Sequence, residues 1–258
     1  STILALLAAA VVFGVVFIFM ERRAVEPIIP LHLFRDRNFN LATIGSLAIA
    51  IAMFGVVAYL PSYLQMVTGL NATKSGLLLV PMSAGMMLTA STTGVLASKT
   101  GRYKWMPIAS CLATGVGLFL LSTLGVGTSS WTIGAYLFIF GAGIGFGFQI
   151  VVLVVQNSFP ITQVGTATGA NNFFREIGAS IGSAVAGTLF TNRLMELLAR
   201  GLSGTEGGPS GALDPTSLTP ALVNRLPEEV KSTIVDAYNE ALTPVFLYIV
   251  PLMVVTAV

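Results

Sequence analysis

Apolar runs of about twenty residues recur along this chain between short polar segments, and each is long enough to cross roughly 30 Å of hydrocarbon as a helix. That recurrence restricts the fold more than any other feature. In lipid the backbone must satisfy its own hydrogen bonds, which leaves helices and closed barrels as spanning structures. Strand-like alternation with regular turns is missing, which argues against a barrel. Seven spans are expected, at about 3–20, 41–67, 76–97, 106–126, 131–155, 167–190 and 241–258. Charged residues make up only 9% of the 258 positions and mean hydropathy is +0.85, whereas a soluble domain carries about 25% charged residues. The expected fold class is an all-α membrane protein, a polytopic helical bundle of seven transmembrane helices.

Lysine and arginine in short loops favour the cytoplasmic side. Arg22, Arg23, Arg35 and Arg37 follow the first span, and Lys99, Arg102 and Lys104 follow the third, so both loops are expected in the cytoplasm. The loop between them holds only Lys74, and the next, "GVGTSS", holds no charge. Alternation then places 191–240 outside, with four basic residues against seven acidic ones. Within it, "SGTEGGPSGALDPTSLTP" reads as a linker. Helix is expected on either side, from Leu194, Leu197, Leu198 and Leu202 and from the stripe Val230, Ile234, Ala237, Tyr238 and Leu242.

Several function classes lose support. Cys111 is the single cysteine, His32 is the single histidine, and no metal-ligand cluster, phosphate-binding glycine loop or nucleophile–base pair is present. An enzyme, a metal site and a cofactor are therefore not expected, and a net charge of +2 gives no footprint for nucleic acid. The chain opens and closes inside apolar helices without an initiator methionine, and it reads as a fragment.

The spans contain two kinds of unusual residue. Gly141, Gly143, Gly145 and Gly147 form two overlapping four-residue spacings, and Gly178 and Gly182 form another, which allow close helix approach. Packing alone and a gating role both remain open for them. In "ANNFFREIGASIG", Arg175 and Glu176 stand inside an apolar span, where an ion costs from about 2.5 to over 10 kcal/mol. Arg175 shares a stripe with Asn171, Gly178, Gly182 and Ala186, which should face protein or water. Glu176 lies about 100° around the helix, so the two are not expected to be each other's partner. Asn172 has the spacing to reach either. Arg175 reads as a transport or gating residue or as an anchor snorkelling to the interface. Glu176, a possible proton or ion-pair site, is expected to matter less. Further cavity candidates are Gln149, with Gln156 on the same face; Tyr59, Tyr63 and Met66; and Met82 with Met86, whose soft side chains suit varied apolar ligands.

"GVLASKTGRYK" resembles the signature of the major facilitator superfamily, G-x-L-x-D-R-x-G-R-[KR]. Gly94, Leu96, Gly101 and Arg102 are in place and Lys99 takes a basic position, but Ser98 stands where the pattern has Asp. The bare alternative is a tight basic turn made by Gly101. The stretches "ERRAVEPIIPLHLFRDRNF", "YLPSYLQMVTGLNATKSGLLLVP" and "VQNSFPITQVGTATGANNFFREIGASIGSA" are similar to the fourteen-helix drug:proton antiporter branch of that superfamily. The resemblance implies an extra central helix at 1–20, a cytoplasmic linker at 21–40, and a six-helix C-terminal half at 41–258 with an extracytoplasmic insertion at 191–240. It implies proton-coupled efflux of small amphipathic compounds across the cell inner (plasma) membrane by alternating access, in partnership with the bilayer and the missing N-terminal half. A lipid or lipid-linked product exporter is the alternative within transport; a non-transporting sensor or scaffold is the alternative outside it.

Overall fold

The computed structural model describes residues 2–24, 27, 29–101, 105–201, 219–223 and 227–257. Arg102 and Lys104 of the basic turn, Leu202 and the linker at 203–218 lie outside them. Helix α1 runs Thr2–Glu21, and a 3-10 turn at Leu31–Arg35 leads into α2, Arg37–Val57. Then come α3 (Leu60–Val67), α4 (Ala72–Leu77), α5 (Val80–Thr100), α6 (Met106–Ser122), α7 (Ser130–Ser158), α8 (Ile161–Gly201), α9 (Pro220–Val223) and α10 (Glu228–Ala257). No strand is present among the described residues. The fold is an all-α membrane bundle.

Local chemistry sets these boundaries. Asp36, Asn71 and Ser129 cap α2, α4 and α7 by accepting from Phe39 N (2.8 Å), Lys74 N (2.9 Å) and Thr132 N (3.2 Å). Prolines stand in the first turns of α3, α5 and α6, where their missing N–H has no helical partner to lose. Two expected spans are each divided at such a proline. The second becomes α2 and α3, interrupted at Ala58 and Tyr59 before Pro61, and the third becomes α4 and α5, interrupted at Leu78 and Leu79 before Pro81. Hydropathy is blind to these breaks because the residues at them are apolar.

By length and composition, five stretches suffice to cross a membrane: Leu4–Glu21, Arg37–Val67, Ala72–Thr100, Ser130–Ser158 and Val230–Ala257. Met106–Ser122 is apolar but shorter. Helix α8 is the longest element, at 41 residues, and its polar side chains dilute its hydropathy. Both belong to the bundle by packing: α6 lies against α7 and α10, and α8 lies along α2.

Helix α7 is the hub, and its two glycine spacings serve two neighbours. A Cβ at Gly141 or Gly145 would run into the carbonyl oxygen of Met82 or Met86 on α5, and one at Gly143 or Gly147 would run into Thr114 or Ser110 on α6. Gly85 and Gly117 answer from the opposite helices, against Phe138 O and Phe140 Cα. Hydroxyls bridge the same seams: Thr89 Oγ1 donates to Ala142 O (2.8 Å) and Ser110 Oγ to Gly143 O (2.8 Å). On the other flank, Gly178 and Gly182 of α8 meet the carbonyl oxygens of Leu47 and Ile51 on α2.

The main core holds Tyr63, Met82, Phe140, Ile144, Phe190 and Phe246, and extends through Leu194, Leu198, Ile234, Ala237, Tyr238 and Leu242 where α8 and α10 run on together. That pairing matches the leucine and apolar stripes read from sequence. A second core joins the linker to the ends of α7 and α8 through Leu33, Phe39, Val155 and Ala167, with edge-on contacts Phe34–Phe39 (5.5 Å) and Phe39–Phe159 (5.7 Å). Helix α1 stands apart, with none of its apolar stretch buried.

Candidate functional site

Where small residues let helix backbones touch, no room remains for a substrate. Outside those seams, Gln149 of α7 stands beside α5 and Arg175 of α8 stands beside α7. Gln149 of α7 is exposed, and its amide nitrogen lies 3.8 Å from the position of a Cβ on Gly94 of α5. One residue earlier, Phe148 presents its ring to the Arg175 guanidinium of α8, 5.2 Å from the centroid. A cation over an aromatic face loses less on leaving water. Sequence reading passed over Phe148, because a phenylalanine in an apolar helix carries no signal until its partner is known.

Arg175 and Glu176 correct the sequence expectation. Arg175 Nε lies 3.8 Å from Glu176 Oε1, so the adjacent pair does interact, loosely, and Asn172 bonds neither. Adjacent side chains diverge at Cβ, but a long guanidinium stem folded over Phe148 can bend back toward its neighbour. The exposures follow the stripe on which Arg175 lies: the Arg175 side chain is 29% exposed and that of Glu176 is 68%. Arg175 is held against protein, while Glu176 presents a carboxylate on the outer face of α8.

Other candidates are tied into packing. Asn171 is buried and donates to Thr43 Oγ1 on α2 (3.3 Å), and with Gly178, Gly182 and Ala186 it forms the face of α8 turned to protein. Tyr63, Met66 and Met82 belong to the main core. The Tyr63 hydroxyl donates to Asn239 Oδ1 of α10 (2.7 Å), and Tyr59, at the break between α2 and α3, donates to Ser183 O of α8 (3.2 Å). The two tyrosines thus lead to different helices. Met86 is half-buried with its backbone against Gly145. In the basic turn, Gly101 closes α5 with φ +63°, and Ser98 Oγ donates back to Val95 O (3.0 Å) while Lys99 is exposed. The serine that replaces the expected acid is therefore turned onto its own helix.

The family model of the Major Facilitator Superfamily matches residues 1–183. The chain belongs to that superfamily. Over 256 residues it is 39% identical to an uncharacterised MFS-type transporter of Mycobacterium tuberculosis, covering 99% of this chain and 36% of the relative. It is similar to Multidrug transporter protein MdtP of Bacillus subtilis, 34% identical over 196 residues that cover 76% of this chain and 36% of the relative. With Multidrug resistance protein 3 of the same organism it shares 29% identity, over 99% of this chain and 51% of the relative. It thus spans between about a third and a half of the length of these superfamily members. The fold is shared with a bacterial homologue of the human lysosomal transporter Spinster, solved inward-facing and occupied, at TM-score 0.66 and 14% identity over 85% of this chain and 47% of that one. Membership makes the chain a multi-pass membrane protein of a transporter family. It also gives Gln149 of α7 and Arg175 of α8 their interest, since neither side chain is buried.

Proposed function

We propose that the chain is the C-terminal half of a proton-coupled multidrug efflux transporter of the fourteen-helix branch, exporting small amphipathic compounds across the inner (plasma) membrane by alternating access. One observation carries the reading. Two charges stand side by side in α8, and the Glu176 carboxylate is mostly exposed. Such a group is far too costly against lipid, so this face borders water or a second bundle. A transporter whose site lies at the interface between two repeats supplies both. The glycine seams of α7 support the same reading, because backbone-to-backbone packing lets a half rock as one body. The names of the Bacillus subtilis relatives favour drugs as cargo.

The test is drug efflux in energised vesicles carrying the full-length protein. Arg175→Gln should reach the membrane at normal levels and lose most efflux, while collapse of the proton gradient should abolish efflux in the parent. Glu176→Gln should also lower efflux, more than its sequence position suggests, because the carboxylate is the more exposed partner. Normal efflux per molecule in Arg175→Gln would reduce the arginine to an anchor and overturn the reading.

A further inference from the structure

One cavity is used by nothing described so far. A groove of about 540 Å³ lies between the end of α1 and the first turns of α8, lined among others by Phe17, Ile29, Gly165, Thr166, Gly169 and Phe173. This size is within the roughly 300–1,000 Å³ range of small-molecule sites. Its wall is apolar except for Thr166. Nothing lies within 4 Å of a Cβ placed on Gly165 or Gly169, whereas Gly178 and Gly182 of the same helix press on α2. The first two glycines make room that no part of the chain fills.

Arginines flank the segments that line this groove. Arg22 and Arg23 follow Phe17 by about a turn and a half of helix, and Arg35 and Arg37 bracket Asp36 between the 3-10 turn and α2. Two contacts hold these segments at the groove. The Glu21 carboxylate accepts from Ile29 N–H, which folds the Arg22–Arg23 turn back onto the wall. His32 Nε2 lies 3.2 Å from Gln163 Oε1, which fixes the 3-10 turn to the start of α8. All four arginines are exposed. Among the described residues no carboxylate forms an ion pair with them; that of Asp36 is occupied as the cap of Phe39 N–H.

A ligand matching this site is apolar for most of its length, anionic at one end, and able to enter from the bilayer. We infer that the groove binds an anionic phospholipid of the surrounding membrane, one acyl chain lying along Gly165 and Gly169 and the phosphate among the arginines. Anionic headgroups and clustered arginines near a membrane surface attract each other by roughly fivefold per residue. The inference rests on membrane placement and is independent of the transport reading.

The test uses full-length protein in detergent, titrated with phosphatidylglycerol or phosphatidylcholine and followed by native mass spectrometry and by melting temperature. Phosphatidylglycerol should be retained and should raise the melting temperature, and phosphatidylcholine should do neither. Arg22→Gln with Arg23→Gln should cut phosphatidylglycerol retention by on the order of tenfold or more. Gly169→Leu fills the groove where no atom stands in the way, and should lose retention with every charge intact. Equal retention of the two lipids, undiminished retention in Gly169→Leu, or a groove closed by a second copy and seen as a dimer mass would each overturn the proposal.

Discussion

Helix α8 uses glycine in two opposite ways along its length. At Gly178 and Gly182 the residue lets α8 lie on the α2 backbone, with the Leu47 and Ile51 carbonyl oxygens where side chains would otherwise be. At Gly165 and Gly169, nearer the linker, the same residue faces open space beside α1. Both pairs have four-residue spacing. The difference shows that a glycine spacing states only that backbone approach is possible. Whether a helix, a ligand or nothing makes that approach depends on which side of α8 its neighbours occupy.

The largest expected effect breaks a glycine seam. Gly145→Leu would drive a side chain into the Met86 backbone, where no rotamer change relieves the overlap. It should cost at least about 3 kcal/mol, the upper part of the overpacking range. Loss of monodisperse elution and of the cooperative melt is the expected readout. A fully stable Gly145→Leu would mean that α5 and α7 are not packed as described.

A smaller change tests the bond that accompanies such a seam. Ser110→Ala removes the donor to Gly143 O and should cost about 0.6 kcal/mol, the average for hydrogen bonds between membrane helices. A modest, reproducible fall in unfolding midpoint is expected. At the open end the sign reverses. Gly165→Ala meets no neighbour and should stabilise α8 by about 0.5–1 kcal/mol through backbone entropy. Destabilisation there would show that something packs on Gly165 after all.

The C-terminal end of α8 gives the weakest effect. Arg193 bridges Glu196 (3.0 Å) and Glu240 of α10 (3.2 Å), and Arg200 also pairs with Glu196. The hydrogen bond from Arg193, followed by the Arg200 charge, holds the Glu196 carboxyl below its usual range. A carboxyl lowered on folding stabilises the fold above its unfolded pKa, and that contribution is lost as pH falls through the lowered value. The pairs are solvent-exposed, so only a small effect is expected. Protection factors near Arg193 and Glu240, corrected for the intrinsic slowing of exchange in acid, should fall slightly below the carboxylate range, and Arg193→Gln should reduce that pH dependence while the Arg200–Glu196 pair remains.

Much of this molecule was readable as sequence because lipid leaves a chain few options. Twenty-residue apolar runs must become helices, so the bundle, the leucine stripe of α8 and its apolar partner stripe on α10 follow from local pattern alone. Asp36, Asn71 and Gly101 act within a few residues of themselves and are legible for the same reason. What sequence could not supply is relative placement. The alternating glycines of α7 announce two close contacts, but only the packed bundle assigns one to α5 and the other to α6. Tyr63 and Met82 look like ligand-facing residues until the neighbouring helices bury them. Arg175 and Glu176 are adjacent in any reading. The stripe with Asn171, Gly178 and Gly182 already turns Arg175 toward protein, but the ring under its guanidinium, Phe148, is 27 positions away in the chain and meets Arg175 only because α7 and α8 pack side by side.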